Sequence, residues 1–501
     1  MGLAARRWLA TRETGSWASK GAASLRVRPR ALWGSPLAVG SLRGKRAWRL
    51  RSVHRARVRV RRALGSLCGD AHIARAWGYV VRMRRDLTAA EAQRVVLEAV
   101  QRLPAETTHT ADAHGRVLAE AIVSQRTLPP FDVSAMDGYA VRCADLAGAS
   151  KSAPVALRVA FEVAAGAAPD RAVAPGTAAR IFTGAPVPPG ADAVVRQEDV
   201  ARDGDRALFA LAPPAGDNVR PAGEDVRAGE TVLESGTRLG AGALGVVASL
   251  GRSVVAVHQR PRVAILSGGD ELIEPDGDPA GGRIVSSNSY SIAAQCREAG
   301  AEPVYLGIAR DRPEELERLL RAGLSSHVIV SSAGVSVGDR DYVRPVLEKL
   351  GCELIFWGVR IKPGFPLVFG RFGGSTDGPF VFGLPGNPVS AMVTFEEFVR
   401  PALRKLAGHR RCFRPRVDAV LGEPLRKPTG RMHLVRVTLA RRDGRLVATS
   451  TGNQSSGVLR SMALAHGLLP FAADATELPA GAPVQVQLLD DEILAAEDSG
   501  L

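Results

Sequence analysis

Between residues 261 and 408, short apolar runs alternate with helical patterns, and this alternation constrains the fold more than any other feature of the chain. Val263–Leu266, Pro303–Ile308, His327–Val330, Leu354–Trp357 and Phe380–Phe382 read as strands. The stretches 289–299, 311–324, 342–350 and 388–407 read as helices. Strands separated by helices of about 10–15 residues specify βαβ units and a mostly parallel sheet. One α/β domain therefore spans about 259–408.

The flanks follow other rules. Thr88 with Glu91 makes a capping box, and Val96, Val100 and Leu103 share one face, so a helix is expected over 88–103, ended by Pro104. Residues 126–214 are rich in Pro, Gly, Ala and Val with β-like runs at 155–163, 193–195 and 207–211, which points to a small β domain. Residues 86–125 with 215–258 form a helical linker domain in this reading, with a second helix over 239–250. After Gly408 the alternating runs 432–439, 446–451 and 484–489 indicate a C-terminal β module over 409–501.

Charge separates the leader from the body. The net charge is +15, yet residues 1–85 hold 21 Lys or Arg against Glu13 and Asp70, leaving 45 basic and 49 acidic residues in the rest. The basic charge thus says nothing of what the body binds, and no nucleic-acid partner is expected for it. Five of the six Trp also lie in this leader, without sustained periodicity. Three readings stand: a targeting peptide, a nucleic-acid arm, or sequence upstream of a true start at Met83. No run of 18 uncharged apolar residues predicts a membrane span. The five Cys form no CxxC pair, and HExxH and GxxxxGK[ST] are absent, which removes zinc-ribbon, metalloprotease and P-loop readings. A reducing compartment is the simplest expectation, hence a cytoplasmic protein.

Ligands of open parallel sheets bind beyond the carboxyl ends of the strands. Three loops there are rich in small residues: Ser267-Gly-Gly-Asp-Glu271, the run from Ser331 to Asp341, and Gly383-Leu-Pro-Gly-Asn-Pro388. Glycine lets backbone amides approach a phosphate closely, so the three could cradle an anion; each by itself also reads as a tight turn. Acids beside such a cradle repel phosphate unless a cation intervenes, so Asp270, Glu271, Asp339 and Asp341 are candidate Mg²⁺ ligands or water-orienting groups, or helix caps. Lys362 supplies a point charge for phosphate or is a solvated surface lysine. Two further acidic loops, Pro129–Val141 with Asp132, Ser134 and Asp137, and Gly216–Asp225 with Arg220 and Glu224, also admit simple turn chemistry. These patterns alone stop at an α/β enzyme acting on a phosphorylated ligand with Mg²⁺.

Seven motifs, in order, resemble the molybdopterin molybdenumtransferase family (MoeA; the gephyrin E domain in animals). They are Phe131-Asp-Val-Ser-Ala-Met-Asp-Gly-Tyr-Ala140, Ile181-Phe-Thr-Gly-Ala-Pro186, Gly223-Glu-Asp225, Ser267-Gly-Gly-Asp-Glu-Leu272, Gly334-Val-Ser-Val-Gly338, Lys362-Pro-Gly364 and Leu384-Pro-Gly-Asn-Pro-Val-Ser390. The resemblance covers about 86–490 and implies a MoeA-like multidomain α/β fold whose central parallel α/β domain is molybdopterin-binding and MogA-like. It implies insertion of molybdate into adenylylated molybdopterin with Mg²⁺-dependent hydrolysis, giving molybdenum cofactor and AMP. The alternatives are a molybdopterin adenylyltransferase and a non-catalytic, gephyrin-like scaffold.

Carried over by motif, Asp137, Thr183, Asp225, Glu271, Asp341 and Lys362 resemble the family's catalytic residues, with Glu271 and Asp341 near the metal. Arg220, Gly268, Gly269, Asp270, Ser332, Gly334, Ser336, Gly338, Pro385, Gly386, Asn387, Pro388 and Ser455 resemble its ligand-binding residues, and Ser456 and Arg431 are looser matches. The resemblance also implies a homodimer, and transient contact with the adenylyltransferase and acceptor molybdoenzymes. Three positions depart from many relatives: Ala333 stands for a Gly of Ser-Gly-Gly, Phe365 for the second Lys of Lys-Pro-Gly-Lys-Pro, and Gly358 for a Lys of some bacterial members. Fewer cations would weaken attraction for molybdate or phosphate.

Overall fold

The computed structural model describes residues 83–332, 342–373 and 378–495. The readings of residues 1–82 lie outside this range, as do those of Ala333, Gly334, Ser336, Gly338, Asp339 and Asp341.

The α/β region is built on a seven-stranded sheet in the order Arg84–Leu87, Cys352–Val359, Val368–Phe372, Phe380–Leu384, Val328–Ser332, Arg262–Gly268, Glu302–Ala309. All neighbours are parallel except at Val368–Phe372, which runs antiparallel to both its partners. Both faces are covered, as a parallel sheet requires. The helices Ala89–Ala99, Ser287–Glu298 and the segment from Pro388 to Leu406 pack on one face around Phe356, Phe369, Phe382 and Phe398. The helices Pro313–Gly323 and Val343–Lys349 pack on the other through Leu316, Leu320, Val346 and Leu347. The long helix from Pro388 is continuous but widens into a π-turn at Phe395–Val399. The helix expected over 311–324 spans Pro313–Gly323, with Arg312 at its N-cap.

Two boundaries differ from the sequence reading. Arg84 and Arg85, assigned to the leader, pair with Phe356 and Trp357 as the edge strand of the large sheet. The helix that follows, grouped with the linker, packs on Arg400–Leu406 instead. Its local signals act as read: Thr88 accepts from Glu91 N at 3.2 Å, and the Glu91 carboxylate accepts from Thr88 N at 2.8 Å. Its buried Ala92, Val95 and Val96 then turn toward the α/β core. Only after Pro104 does the chain leave, through a ladder that pairs Ala105–His109 with Val254–His258. The linker region is mainly short antiparallel ladders, with one α-helix, Ala241–Ser249, among its described residues.

The inserted β region is a six-stranded sheet, Ala193–Arg196, Gly138–Val141, Thr177–Ile181, Val155–Val163, Arg206–Phe209, Val200–Asp203. Gly138 is required there, because a Cβ would lie 2.1 Å from the Val195 carbonyl oxygen. In the C-terminal module Met432–Arg442, Arg445–Ser450, Arg416–Leu421, Pro483–Leu488 and Gly467–Phe471 form a sheet closed by pairing of the first strand with the last. Closure removes free edges. Among the described residues, no helix is long and apolar enough to cross a membrane.

Candidate active site

A cleft of about 580 Å³ opens at the carboxyl ends of the large sheet. Gly268, Glu271, Ser332, Pro385, Gly386, Asn387 and Pro388 line it, so three strand-end loops meet in one cavity. Its opposite wall is Ser286, Ser287 and Asn288, at the start of the helix Ser287–Glu298. The sequence reading missed these residues; the signal was the Ser286-Ser-Asn-Ser289 run just before the helical pattern. Asn288 Nδ2 donates to Ser332 Oγ at 2.6 Å and to the Gly386 carbonyl at 2.8 Å, tying the three walls together. Behind it Ser289 Oγ lies 2.7 Å from Ser267 Oγ and 3.0 Å from Ser286 Oγ, a buried hydroxyl cluster at the helix start.

Glu271 is exposed on the cleft rim. Gly269 allows this, because its φ is +144° and a Cβ would fall 2.6 Å from a Glu271 carboxylate oxygen. Asp270 points elsewhere: its carboxylate accepts from Asp311 N at 3.1 Å, and Arg310 Nη1 donates to the Asp270 and Leu272 carbonyls. That arrangement secures the loop and leaves Asp270 outside the cleft lining.

The C-terminal module closes the cleft from below. Asn387 Nδ2 donates to Ser456 Oγ at 3.0 Å, Val389 N donates to the Ser456 carbonyl at 3.1 Å, and Gly457 lines the cavity. Ser455 is exposed, and its carbonyl accepts from the buried Arg436 guanidinium at 3.1 Å. Arg436 also donates to Ser461 Oγ at 3.1 Å and to the Asn453 carbonyl at 3.4 Å. No carboxylate faces it in these bonds, and sequence inspection had no means of finding it.

Lys362 lies in a smaller neighbouring pocket of about 200 Å³ with Lys427, His433 and Arg436, and does not line the main cleft. Burial first, then Lys362, Lys427 and Arg431, pushes the His433 imidazole down to about 4, so it is neutral at pH 7. Pro363, in this pocket, follows a cis peptide bond, and Pro366 lines the main cleft. Between them Phe365 meets Trp357 edge-on at 5.5 Å and carries the Arg431 guanidinium 4.5 Å above its ring. A cation therefore stacks on the Phe365 ring. Gly358 has φ +83°, and a Cβ would lie 3.2 Å from Asp86 Oδ1 and 3.4 Å from the Phe365 ring, so a lysine would be strained there.

A second constellation lies on the inserted β region. Asp137 Oδ1 accepts from Thr183 N at 2.8 Å and from Thr183 Oγ1 at 2.7 Å. These two bonds hold the carboxyl below its ordinary range. Val133–Ser134 pairs with Val219–Arg220, so the two acidic loops lie side by side. Asp132 Oδ1 accepts from Ala222 N at 2.8 Å, Arg220 Nε donates to Glu224 at 2.6 Å, and Asp225 is exposed at the end of the loop. No residue of 126–225 lines the cleft of the large sheet, so the chain carries two separate groups of expected site residues.

Three family models match the chain in succession. Residues 87–251 match the family model "MoeA N-terminal region (domain I and II)", 264–405 "Probable molybdopterin binding domain" and 418–489 "MoeA C-terminal region (domain IV)". A molybdopterin molybdenumtransferase 2 of Mycobacterium tuberculosis is 40% identical over 79% of this chain and 98% of its own. The molybdopterin molybdenumtransferase of Haemophilus influenzae is 34% identical over 80% and 98%. The crystal structure of a molybdopterin biosynthesis MoeA protein from Pyrococcus horikoshii superimposes with a TM-score of 0.68 at 31% identity, covering 80% of this chain and 100% of that one. With relatives this similar along nearly their whole length, the chain belongs to the MoeA family of molybdopterin molybdenumtransferases.

Proposed function

We propose that this transferase of molybdenum cofactor biosynthesis takes adenylylated molybdopterin and molybdate as substrates, in the cytoplasm, and releases molybdenum cofactor and AMP. The observation that supports this most is the cleft itself, where Gly268, Glu271, Ser332 and the 385–388 loop converge at strand ends. Its walls offer hydroxyls, amides and glycine backbone to a phosphate chain, with one carboxylate at the rim. Lys362 and Arg431 place positive charge on the side where the C-terminal module meets the cleft.

Hydrolysis of the anhydride requires that a water oxygen bond to phosphorus while the bridging P–O bond breaks and the leaving phosphate keeps the electron pair. Glu271 is suited to orient that water and accept its proton. One carboxylate with neighbouring hydroxyls also suits Mg²⁺, which keeps most of its ligands as water and substrate phosphate oxygens. When bound, it would neutralise charge developing on the phosphates. The two dithiolene sulfurs of the substrate provide the molybdenum ligands, so the reaction asks for no cluster of protein thiols. Asp137, Thr183, Arg220 and Asp225 complete the site in a homodimer, in which the β region of one subunit faces the large-sheet cleft of the other. The separation of the two groups within one chain supports this reading.

The test is release of AMP from adenylylated molybdopterin. We expect release to depend on molybdate and Mg²⁺, and to fall at least about tenfold in Glu271→Gln, whose shape is unchanged. Wild-type protein that releases no AMP under these conditions would refute the proposal.

A further inference from the structure

We propose a second anion site, for a soluble oligophosphate, where the linker region meets the α/β region. A cavity of about 420 Å³ there is lined by Arg116, Arg238, Arg260, Arg297 and Arg404, together with His409. Arg116 and Arg238 come from the linker segments and Arg260 from the turn between Val254–His258 and Arg262–Gly268, whereas Arg297 lies in the last turn of one helix of the large domain and Arg404 lies in another. None of these residues belongs to the cleft or to the Asp137 loop.

Charge is the first argument. Among the described residues Glu298 is the only carboxylate of the lining, and it is already held by Arg414 at 2.9 Å. Arg116 is paired with Glu106 and donates to the His258 carbonyl at 2.7 Å. Arg404 is spent on the Arg411 carbonyl at 3.1 Å and on His409 Nδ1 at 3.3 Å. Among the described residues the side chains of Arg238, Arg260 and Arg297 make no hydrogen bond or ion pair, and all three are exposed. Such clustering does not follow from composition, because the chain beyond residue 85 holds 45 basic against 49 acidic residues. Like charges around one cavity repel, and the cost shows nearby: burial, then Arg404, Arg238 and Arg400, pushes the His409 imidazole down to about 4.

Shape and chemistry select the ligand class. The volume is that of a small-molecule site rather than of a macromolecular surface. Guanidinium forks match phosphate oxygens in bidentate geometry, and three unpartnered forks ask for more than one phosphate group. A ligand gripping Arg238 and Arg297 together would join the linker to the α/β region, so occupancy should stiffen that joint.

Isothermal titration of the full chain with inorganic tripolyphosphate, beside orthophosphate, tests the site. We expect one saturable tripolyphosphate site that weakens with salt, is at least about tenfold tighter than for orthophosphate, and raises Tm. Arg238→Glu with Arg297→Glu should lose this binding and the Tm shift while keeping the wild-type circular dichroism spectrum. Lys362→Ala should keep both, which separates the site from any phosphate affinity of the cleft. Adenosine triphosphate that binds as tightly would identify the phosphate chain as the recognised part. Tripolyphosphate binding that is absent in wild type, unchanged in the double variant, or lost in Lys362→Ala would overturn the proposal. Should the double variant fail to fold, Arg260→Ser on the same rim must weaken binding, and wild-type affinity in that variant would equally overturn it.

Discussion

Asp137 Oδ1 accepts two hydrogen bonds from one residue, the backbone N–H and the hydroxyl of Thr183, at 2.8 and 2.7 Å. Both favour the ionised carboxyl and hold its pKa below the ordinary value. The stability this contributes is therefore present above the ordinary carboxylate range and lost as pH falls through the depressed pKa. Thr183→Val deletes the hydroxyl and keeps the backbone donor. The Asp137 titration, followed by NMR, should then move up toward the ordinary value but stop short of it; an unmoved titration would show that the hydroxyl contributes nothing.

Glu397 behaves oppositely. Burial first, and then Glu396, pushes its carboxyl up to about 7, although Gln487 and Gln93 donate to it at 2.8 and 3.0 Å. Stability from this group is full below the unfolded value and declines as pH rises through about 7. Glu397→Gln should remove that decline, so its Tm should exceed wild type above neutrality and approach it in mild acid. Parallel Tm profiles for the two proteins would contradict the assignment.

Gly408 ends the long helix with φ +88°, and a Cβ there would lie 2.1 Å from His258 Cδ2. Gly408→Ala combines left-handed strain with a clash against a ring anchored to the Leu103 carbonyl at 2.8 Å. A loss of about 2–4 kcal/mol in denaturant unfolding is expected. Adding His258→Ala should return part of it by opening space, and a single variant as stable as wild type would refute the contact.

Arg84–Leu87 pairs with the strand Cys352–Val359, and the capped helix follows at once. A chain starting at Met83 should therefore unfold at higher denaturant than one starting at Thr88, by more than about 1 kcal/mol. Equal midpoints would mean that the edge strand adds nothing.

Much of this fold was legible because its signals are local. Thr88 with Glu91 announces a helix start, and the alternation from Val263 to Phe382 announces the parallel sheet. What escaped depends on partners remote in sequence. Arg84–Leu87 is polar and becomes a strand only through residues 356–359. Val368–Phe372 hides between Pro366 and Gly373 and is ordered by two neighbouring strands. In the site, the glycine and proline loops were readable because backbone approach demands those residue types. Asn288 acts through Ser332 and Gly386, which lie 44 and 98 residues away, and Arg436 through carbonyls of a loop, so neither leaves a local pattern. Asp270 illustrates the reverse: it sits in a matched motif, yet its carboxylate is spent on Asp311 N.

The claim that two half-sites of this chain cooperate across a dimer is tested most directly by mixing two inactive variants. Asp137→Asn and Glu271→Gln homodimers should each release AMP from adenylylated molybdopterin far more slowly than wild type. Co-expression with two affinity tags yields heterodimers in which one cleft carries both variants and the other carries neither. By random pairing half of the dimers are mixed, so about a quarter of all clefts in the unseparated pool should recover, and AMP release should rise to about a quarter of wild type there and about half in the purified heterodimer. Purified heterodimers that stay as inactive as their parents would contradict the shared cleft and return Asp137 to a purely structural part in the β region.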